Sequence, residues 1–294
     1  MPSDIAGNPV ALAVGCKVNL SLRITGRRAD GYHSLESIFW PLASPADRLT
    51  VARSASPGIQ FSCDDPALAA QENIVVKAYH AYAKATSFAP SLTVFLEKKI
   101  PYGAGLGGGS ADAAALLLHL NDIARAENLP GLSPEALGQL GARLGADVPF
   151  FLHNAPCMVS GIGEIIKPLP PSVVQSLSGI NLVLVCPKIH VATAWAFAAW
   201  DKKSLSDALT NGDEKDTSPL VHGVCIHNDL QRVVFDAHPD LEKMSVLLQS
   251  FGAEAASMSG SGASIFGLFH DAVSAEKAVC FFQDMGESVF HHII

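Results

Sequence analysis

A chain that places five glycines directly ahead of an alanine-rich helix has few ways to fold around them. Residues 101–115 read Pro-Tyr-Gly-Ala-Gly-Leu-Gly-Gly-Gly-Ser-Ala-Asp-Ala-Ala-Ala, so Gly103, Gly105, Gly107, Gly108 and Gly109 run into Ser110 and on to Leu116-Leu-Leu. Glycine lets the backbone take positive φ and lets a ligand approach the chain closely. Ser110 is the expected N-cap of the helix that follows, with Asp112 an exposed acid in its first turn favouring the helix dipole. A helix N-terminus behind a run of free backbone N–H groups is a phosphate site.

The surrounding pattern is mixed. Val10 to Thr25 alternates, with Val18, Leu20, Leu22 and Ile24 on one face and Lys17, Asn19, Ser21 and Arg23 on the other, which predicts a strand. Leu35–Leu42, Leu49–Ala52, Gly58–Cys63 and Leu92–Lys98 read as further strands. Asn73 is the expected cap of a helix to about Ala85, and Ser133 with Pro134 starts another. In the second half, Asn181–Pro187 and Ile265–His270 read as strands among helices at 192–200, 205–209, 230–235, 239–251 and 275–285, and Asn211–Pro219 reads as a loop. The expectation is an α+β protein in two packed lobes, residues 1–170 and 171–294.

The net charge of −8 excludes nucleic acid as the main partner. It also requires that any phosphate be held by local dipoles and a few placed cations. No apolar run approaches the roughly 20 residues of a membrane span, and Met1–Val10 carries no secretory pattern. The expectation is a cytoplasmic protein. Cys16, Cys63, Cys157, Cys186, Cys225 and Cys280 stand singly and read as reduced, mostly buried thiols. His222 and His227, and His291 with His292, lack metal-ligand spacing, so a zinc site is not expected.

Three general readings of the glycine loop compete. Gly103-x-Gly105-x-x-Gly108 matches a dinucleotide fingerprint, but it is not held tightly between the first strand and helix of a βαβ unit. A Walker loop needs Lys-Ser or Lys-Thr after its last glycine, and this loop has Ser110-Ala111. Glycines serving only tight packing would need fewer than five. The remaining pattern, Pro101-x-x-x-Gly-Leu-Gly-Gly-Gly-Ser-x-Asp-Ala-Ala, resembles the phosphate loop of the GHMP kinases. Lys17-Val-Asn-Leu, Asp30-Gly-Tyr-His33, Gly145-Ala-Asp147-Val-Pro-Phe-Phe, Gly161-Ile-Gly-Glu, Asn228-Asp-Leu and Ser259-Gly-Ser-Gly-Ala extend the likeness over nearly the whole chain.

That resemblance implies a two-lobed GHMP kinase fold with its active site in the cleft between the lobes. The implied reaction is phosphorylation by ATP of the 2-hydroxyl of 4-diphosphocytidyl-2-C-methyl-D-erythritol, a step of non-mevalonate isoprenoid precursor synthesis. Asp147 is then the general base, and Lys17 orients the hydroxyl and offsets phosphoryl charge. The loop residues Pro101, Gly103, Gly105, Leu106, Gly107, Gly108, Gly109 and Ser110 hold ATP phosphates. Asn73 and Lys99 fall where the family contacts adenine, although Asn73 is equally a helix cap. Asn19, Tyr32, His33, Phe197, Gly260 and Gly262 fall on the substrate side, with Tyr32 and His33 reading cytidine. Mg2+ is expected with ATP, but no acid is a clear ligand; Asp112 is one option. Ala111 stands where the family often has a second serine. Partners are expected to be small molecules only, and the protein a monomer or weak homodimer. Another GHMP kinase, acting on homoserine, a sugar or a mevalonate derivative, is the runner-up, and a non-catalytic sensor on the same scaffold is the third reading.

Overall fold

The computed structural model describes residues 8–69, 72–209 and 218–294. Most of the expected loop at 211–219 lies outside them.

The first half folds around a long antiparallel ribbon of β1 (Val10–Arg27) and β2 (His33–Arg53). The two strands expected at Leu35–Leu42 and Leu49–Ala52 are one. Pro45 lies where the ladder skips from Cys16↔Leu42 to Val14↔Asp47. A bulge is where a sheet tolerates a residue with no N–H. The bulge also turns the alternation of β1 over, so Val14 packs in one core while Cys16, Val18 and Leu20 pack in another.

After β3 (Ile59–Cys63), α1 (Ile74–Thr86) starts at Asn73, whose side chain accepts the Val75 N–H. β4 (Leu92–Glu97) leads through the glycine loop into α2 (Gly108–Ala126), followed by α3 (Pro134–Leu144), capped by Ser133 as expected, and α4 (Val148–His153). β5 (Cys157–Gly161) and β6 (Ile165–Pro168) close the half as a hairpin. Among the described residues, β2 carries β4 on its C-terminal part and β5 on its N-terminal part, with β3 beyond β4 and β6 beyond β5.

The second half continues with α5 (Pro171–Ser176), β7 (Asn181–Cys186) and α6 (Thr193–Leu209), a single helix where two were expected. The short strands β8 (Leu220–Val221), β9 (Val224–Cys225) and β10 (His227–Asn228) have no clear sequence pattern. Then come α7 (Gln231–Ala237), α8 (Pro239–Ser250), β11 (Ala255–Met258), β12 (Ile265–Phe269), α9 (Ala272–Asp284) and β13 (Ser288–Ile293). The last strand was not expected either. The second sheet runs β11-β12-β7-β13, all antiparallel.

Four layers result. Helices α1–α4 cover one face of the first sheet, and its other face meets the second sheet through Val18, Leu20 and Trp40 against Leu182, Leu184 and Phe266. Helices α6–α9 cover the far side. β7 is therefore buried on both faces, Leu182 and Leu184 inward to the first sheet, Val183 and Val185 to the helices. Each such side chain contributes roughly 1.5–3 kcal/mol of burial. Cys16, Cys157 and Cys186 are buried, Cys63 and Cys225 half-buried, and only Cys280 exposed. Burial, with a smaller push from Cys186, raises the Cys16 thiol to about 12.

Candidate active site

The site is assembled along the outer edge of β1, which no long strand covers. The Lys17 N–H donates to Leu106 O at 3.1 Å, bonding the glycine loop to the strand. Two residues on, the Asn19 N–H donates to Ser259 Oγ at 3.1 Å, so the second small-residue turn occupies the next place. Ser21 and Leu22 then pair with β10 in parallel. The Ile24 N–H finishes the edge on Asp229 Oδ2 at 2.5 Å. The backbone donors along this edge are thus satisfied by loops rather than by a sheet neighbour.

The alternation of β1 buries Val18 on one side and points Lys17 and Asn19 towards the two glycine turns on the other. Lys17 is 4% exposed, with its ammonium 4.6 Å above the Phe39 ring centroid. Its Nζ donates to Asn19 Oδ1 and to Gly105 O at 3.0 Å, and lies 3.7 Å from Asp147 Oδ2. Asn19 is fixed in turn by donating Nδ2 to Ser37 Oγ at 2.9 Å. Burial pulls the Lys17 pKa below its ordinary value, and the Asp147 charge opposes that pull.

Asp147 sits at the N-cap of α4, yet its side chain makes no capping bond. The helix starts at Val148, with Pro149 in its first turn needing no capping acceptor and the buried Phe150 and Phe151 following. The carboxylate keeps 28% side-chain exposure. Gly163, at φ +126 in the β5–β6 turn, allows that turn against it: a Cβ there would come within 3.1 Å of Ala146 Cβ and 3.5 Å of Asp147 Oδ1.

The glycine loop departs from expectation in two places. Gly107, at φ +73, is the N-cap and α2 begins at Gly108, so Ser110 lies inside the first turn instead of capping it. Positive φ at Gly107 lets the helix start before the serine. The first turn of α2, at Gly108, Gly109 and Ser110, is where backbone N–H groups have no intrahelical partner. Ser110 Oγ lies 3.5 Å from where a Cβ of Gly145 would be, on the side of the Asp147 loop.

The second departure is Asp112, which is not an exposed dipole acid. It is 2% exposed, with Oδ2 accepting from Lys98 Nζ at 2.9 Å and Oδ1 without a hydrogen-bond partner among the described residues. Lys98 Nζ also donates to Asp47, whose Oδ1 accepts the Lys99 and Ile100 N–H groups at 2.6 and 2.8 Å. Burial raises Asp112 to about 7, with Asp47 adding to the rise and Lys98 offsetting part of it.

The glycines also have packing duties. A Cβ on Gly105 would lie 2.0 Å from Ser259 O, and one on Gly260 would lie 3.0 Å from Gly105 O and 3.2 Å from Asn19 Oδ1. Ser259 Oγ donates to Gly105 O at 3.0 Å, and Asn228 Nδ2 donates to Met258 O and Gly260 O at 2.7 and 2.8 Å. The two glycine turns are one packed unit. Gly260 and Gly262, expected to shape the cleft, sit within that unit; the Cβ position of Gly262 faces the Met258 sulfur at 2.6 Å. Gly103 abuts His190, which stacks on Tyr102 at 5.3 Å and 8°.

Away from the loop, His33 begins β2 and stacks on Phe197 of α6 at 4.9 Å and 19°, with Trp200 edge-on at 5.8 Å. His33 Nε2 is 2.7 Å from Asp201 Oδ1, and Arg27 approaches the other oxygen of Asp201 at 3.6 Å. Tyr32 stands exposed beside them at 61%. The structure brings together Lys17, Asn19, Asp147 and the glycine loop, and separately His33 and Phe197. Asn73 is occupied as a cap, its Nδ2 donating to Leu68 O, and Lys99 is exposed, with its backbone N–H engaged at Asp47. Sequence reasoning gave no role to Asp201, Trp200, Ser259 or Asn228. Asp201 and Trp200 follow Phe197 at helical spacing, which is the one signal that pointed to them.

Comparison with known proteins bears on the whole chain. The GHMP kinases N terminal domain matches residues 73–155 and the GHMP kinases C terminal domain matches residues 204–288. A 4-diphosphocytidyl-2-C-methyl-D-erythritol kinase of Nitratidesulfovibrio vulgaris strain Hildenborough is 46% identical over 290 residues, covering 97% of this chain and 99% of its own. The enzyme of that name from Solidesulfovibrio magneticus is 44% identical over 287 residues, covering 95% of each. Among solved structures, a 4-(cytidine 5'-diphospho)-2C-methyl-D-erythritol kinase superposes with a TM-score of 0.71 at 30% identity, over 96% of this chain and 98% of that one. The Methanococcus jannaschii mevalonate kinase reaches 0.69 at 12% identity, over 97% and 98%, a likeness of fold alone.

Proposed function

This chain belongs to the 4-diphosphocytidyl-2-C-methyl-D-erythritol kinases of the GHMP kinase fold, and from that membership we propose how its residues divide the reaction. The protein is an ATP-dependent kinase of isoprenoid precursor synthesis that phosphorylates the 2-hydroxyl of the cytidine-linked polyol. Asp147 takes the proton of that hydroxyl as it attacks the γ-phosphorus of ATP; the bond from the γ-phosphorus to the β–γ bridging oxygen breaks and ADP leaves. Phosphoryl transfer is largely positioning and charge stabilisation, and one carboxylate is sufficient as proton acceptor. Lys17 sets the direction of the carboxylate and stabilises charge on the transferred group.

The observation that carries this reading is the buried Lys17 ammonium, 3.7 Å from a carboxylate that is partly open and makes no capping bond. The first-turn N–H groups of α2 and the Ser110 hydroxyl are the donors proposed for the phosphates, and Pro101, Gly103, Gly105, Leu106, Gly107, Gly108 and Gly109 give the loop its shape. Tyr32, His33 and Phe197 form the proposed base-reading wall, with Asn19 orienting Lys17 and Gly260 and Gly262 backing the loop. Asn73 and Lys99 are retained near adenine on the resemblance alone.

Magnesium, which seeks oxygen ligands and neutralises phosphate charge when it accompanies ATP, does not fit Asp112. That carboxylate is sealed against Lys98 and is raised to about 7. The oxygen donors that fit are the Ser110 hydroxyl and the Asp147 carboxylate, both turned towards the Gly145–Asp147 loop. We further propose lobes divided near residue 170, with β10 reaching back to the first sheet, acting as a monomer or weak homodimer in the cytoplasm. Six unpaired thiols suit a reducing compartment.

The test is substrate-dependent ADP release by wild type and Asp147→Asn. Turnover that survives the substitution overturns the base assignment. Turnover with homoserine but not with the cytidine substrate overturns the acceptor assignment.

A further inference from the structure

At the end of the second sheet opposite the Ser259–Ser264 turn, three side chains meet that lie far apart in sequence. His222 is at the tip of the two-residue β8–β9 hairpin, where it and Gly223 take φ +50 and +84. Positive φ at both central residues is the geometry a two-residue hairpin favours. Glu254 immediately precedes β11 and His270 immediately follows β12, two strands paired antiparallel through Ala255↔Leu268. The hairpin thus places Glu254 and His270 side by side: His270 Nε2 is 2.6 Å from Glu254 Oε2. The rings of His222 and His270 lie 4.9 Å apart at 43°. One donor atom from each of the three residues falls within 4.8 Å of the others, and all three residues are exposed.

We propose that His222, Glu254 and His270 form a site for a divalent transition-metal ion of the zinc class. Two imidazoles and one carboxylate are a donor set that zinc takes readily, with the fourth position left to water. The same set suits magnesium poorly, because that ion prefers oxygen ligands throughout. The metal would take the place of the direct His270–Glu254 contact, since it binds neutral imidazole and ionised carboxylate. His222, Glu254 and His270 themselves are the groups that face one another in this cluster. The 32- and 16-residue gaps hide the cluster from any spacing rule, which is why the sequence gave no zinc expectation. Four residues of hairpin, about 13 Å at the usual strand rise, separate the cluster from the turn that backs the glycine loop. The ion therefore fastens the β8–β9 tip to the sheet without touching Lys17 or Asp147.

Chelator-stripped full-length protein, titrated with Zn2+ against a chromophoric chelator, is expected to take up one tight equivalent and to unfold at a higher temperature with it. His222→Ala and His270→Ala are each expected to weaken that equivalent by about tenfold or more. Both variants are expected to lose the thermal shift while keeping the metal-free unfolding temperature and the kinase activity. Millimolar Mg2+ should not displace the ion. Co2+ in place of Zn2+ separates this site from adventitious binding at Cys280 or another thiol, because thiolate ligation adds a sulfur-to-metal charge-transfer band. Zinc uptake unchanged in the His222→Ala/His270→Ala double variant, no uptake by wild type, or a thiolate band in the Co2+ spectrum each overturns the proposal.

Discussion

Two lysine–aspartate clusters flank the same glycine loop, and they are built to opposite ends. In the cleft, Lys17 and Asp147 stand 3.7 Å apart, with the carboxylate partly exposed and free of the helix it precedes. Behind the loop, Lys98 is clamped between Asp47 and Asp112, both sealed from solvent, and Asp47 also takes two backbone N–H groups. The loose pair keeps carboxylate lone pairs open, as the proposed base requires. The buried triad ties β2, the end of β4 and the first turns of α2 together, and its burial, not saturation, keeps it from a ligand, since Asp112 Oδ1 stays unpartnered among the described residues. The same residue types are open to a ligand or hold structure according to what stays exposed.

That contrast is most easily broken at Asp147. Asp147→Asn is expected to lower kcat by about 10²–10⁴-fold, the usual worth of a positioned base, while its unfolding free energy stays within about 0.5 kcal/mol of wild type. Steady-state ADP release alongside urea unfolding checks both halves. A variant that lost stability and kept its turnover would move Asp147 to the structural side.

Lys98→Met should do the reverse. Removing the cation strands two buried carboxylates, at a cost of about 3–5 kcal/mol, read from the urea midpoint. The KM for ATP should rise less steeply than the stability falls, since Lys98 has no place in the cleft.

The triad also predicts a pH signature. Asp112 holds its proton to about pH 7 when folded, whereas an unfolded aspartate releases it near 3.9. Between those values the folded state binds the extra proton, so its contribution to stability is full below about pH 4 and is lost as pH rises to about 7. The slope is at most about 1.4 kcal/mol per pH unit. Asp112→Asn is expected to flatten the fall in unfolding free energy over that window, and parallel wild-type and variant profiles would count against a buried proton there.

The smallest effect belongs to the aromatic wall. Phe197→Ala removes the ring stacked on His33 and is expected to raise KM for the cytidine substrate about two- to tenfold, the range of an aromatic pair worth about 0.5–1.5 kcal/mol. kcat and the KM for ATP should hardly move.

Much of the proposed site was legible in the chain through the family resemblance, because the local signals around Lys17 and Asp147 place these residues without assigning them a role. The alternation around Lys17 places it on the polar face, and the Gly-Ala-Asp-Val-Pro turn isolates Asp147 at a helix start. Asp112 was misread because alanines on every side give that helix no clear buried stripe, and its partner Lys98 sits beyond five glycines. Ser110 lost the cap because glycine can begin a helix at positive φ where the serine hydroxyl would otherwise have been needed. The His222–Glu254–His270 cluster left no trace, since register between β11 and β12 brings it together. β10 was invisible for the same reason: two residues carry no pattern, and only the edge they complete gives them meaning.

That edge sets an order on the protein's synthesis. β1 and β2 can pair as soon as Arg53 is made, but the outer side of β1 receives its partners from Leu106, from His227–Asp229 and last from Ser259. At roughly 5–20 residues per second, a nascent chain therefore carries an unprotected strand edge for on the order of ten seconds or more. During that interval it is open to pairing with its neighbours on the same message. The residues that pack against the glycine loop are also the ones that end this exposure, so each molecule stops being sticky at the moment the proposed site is finished.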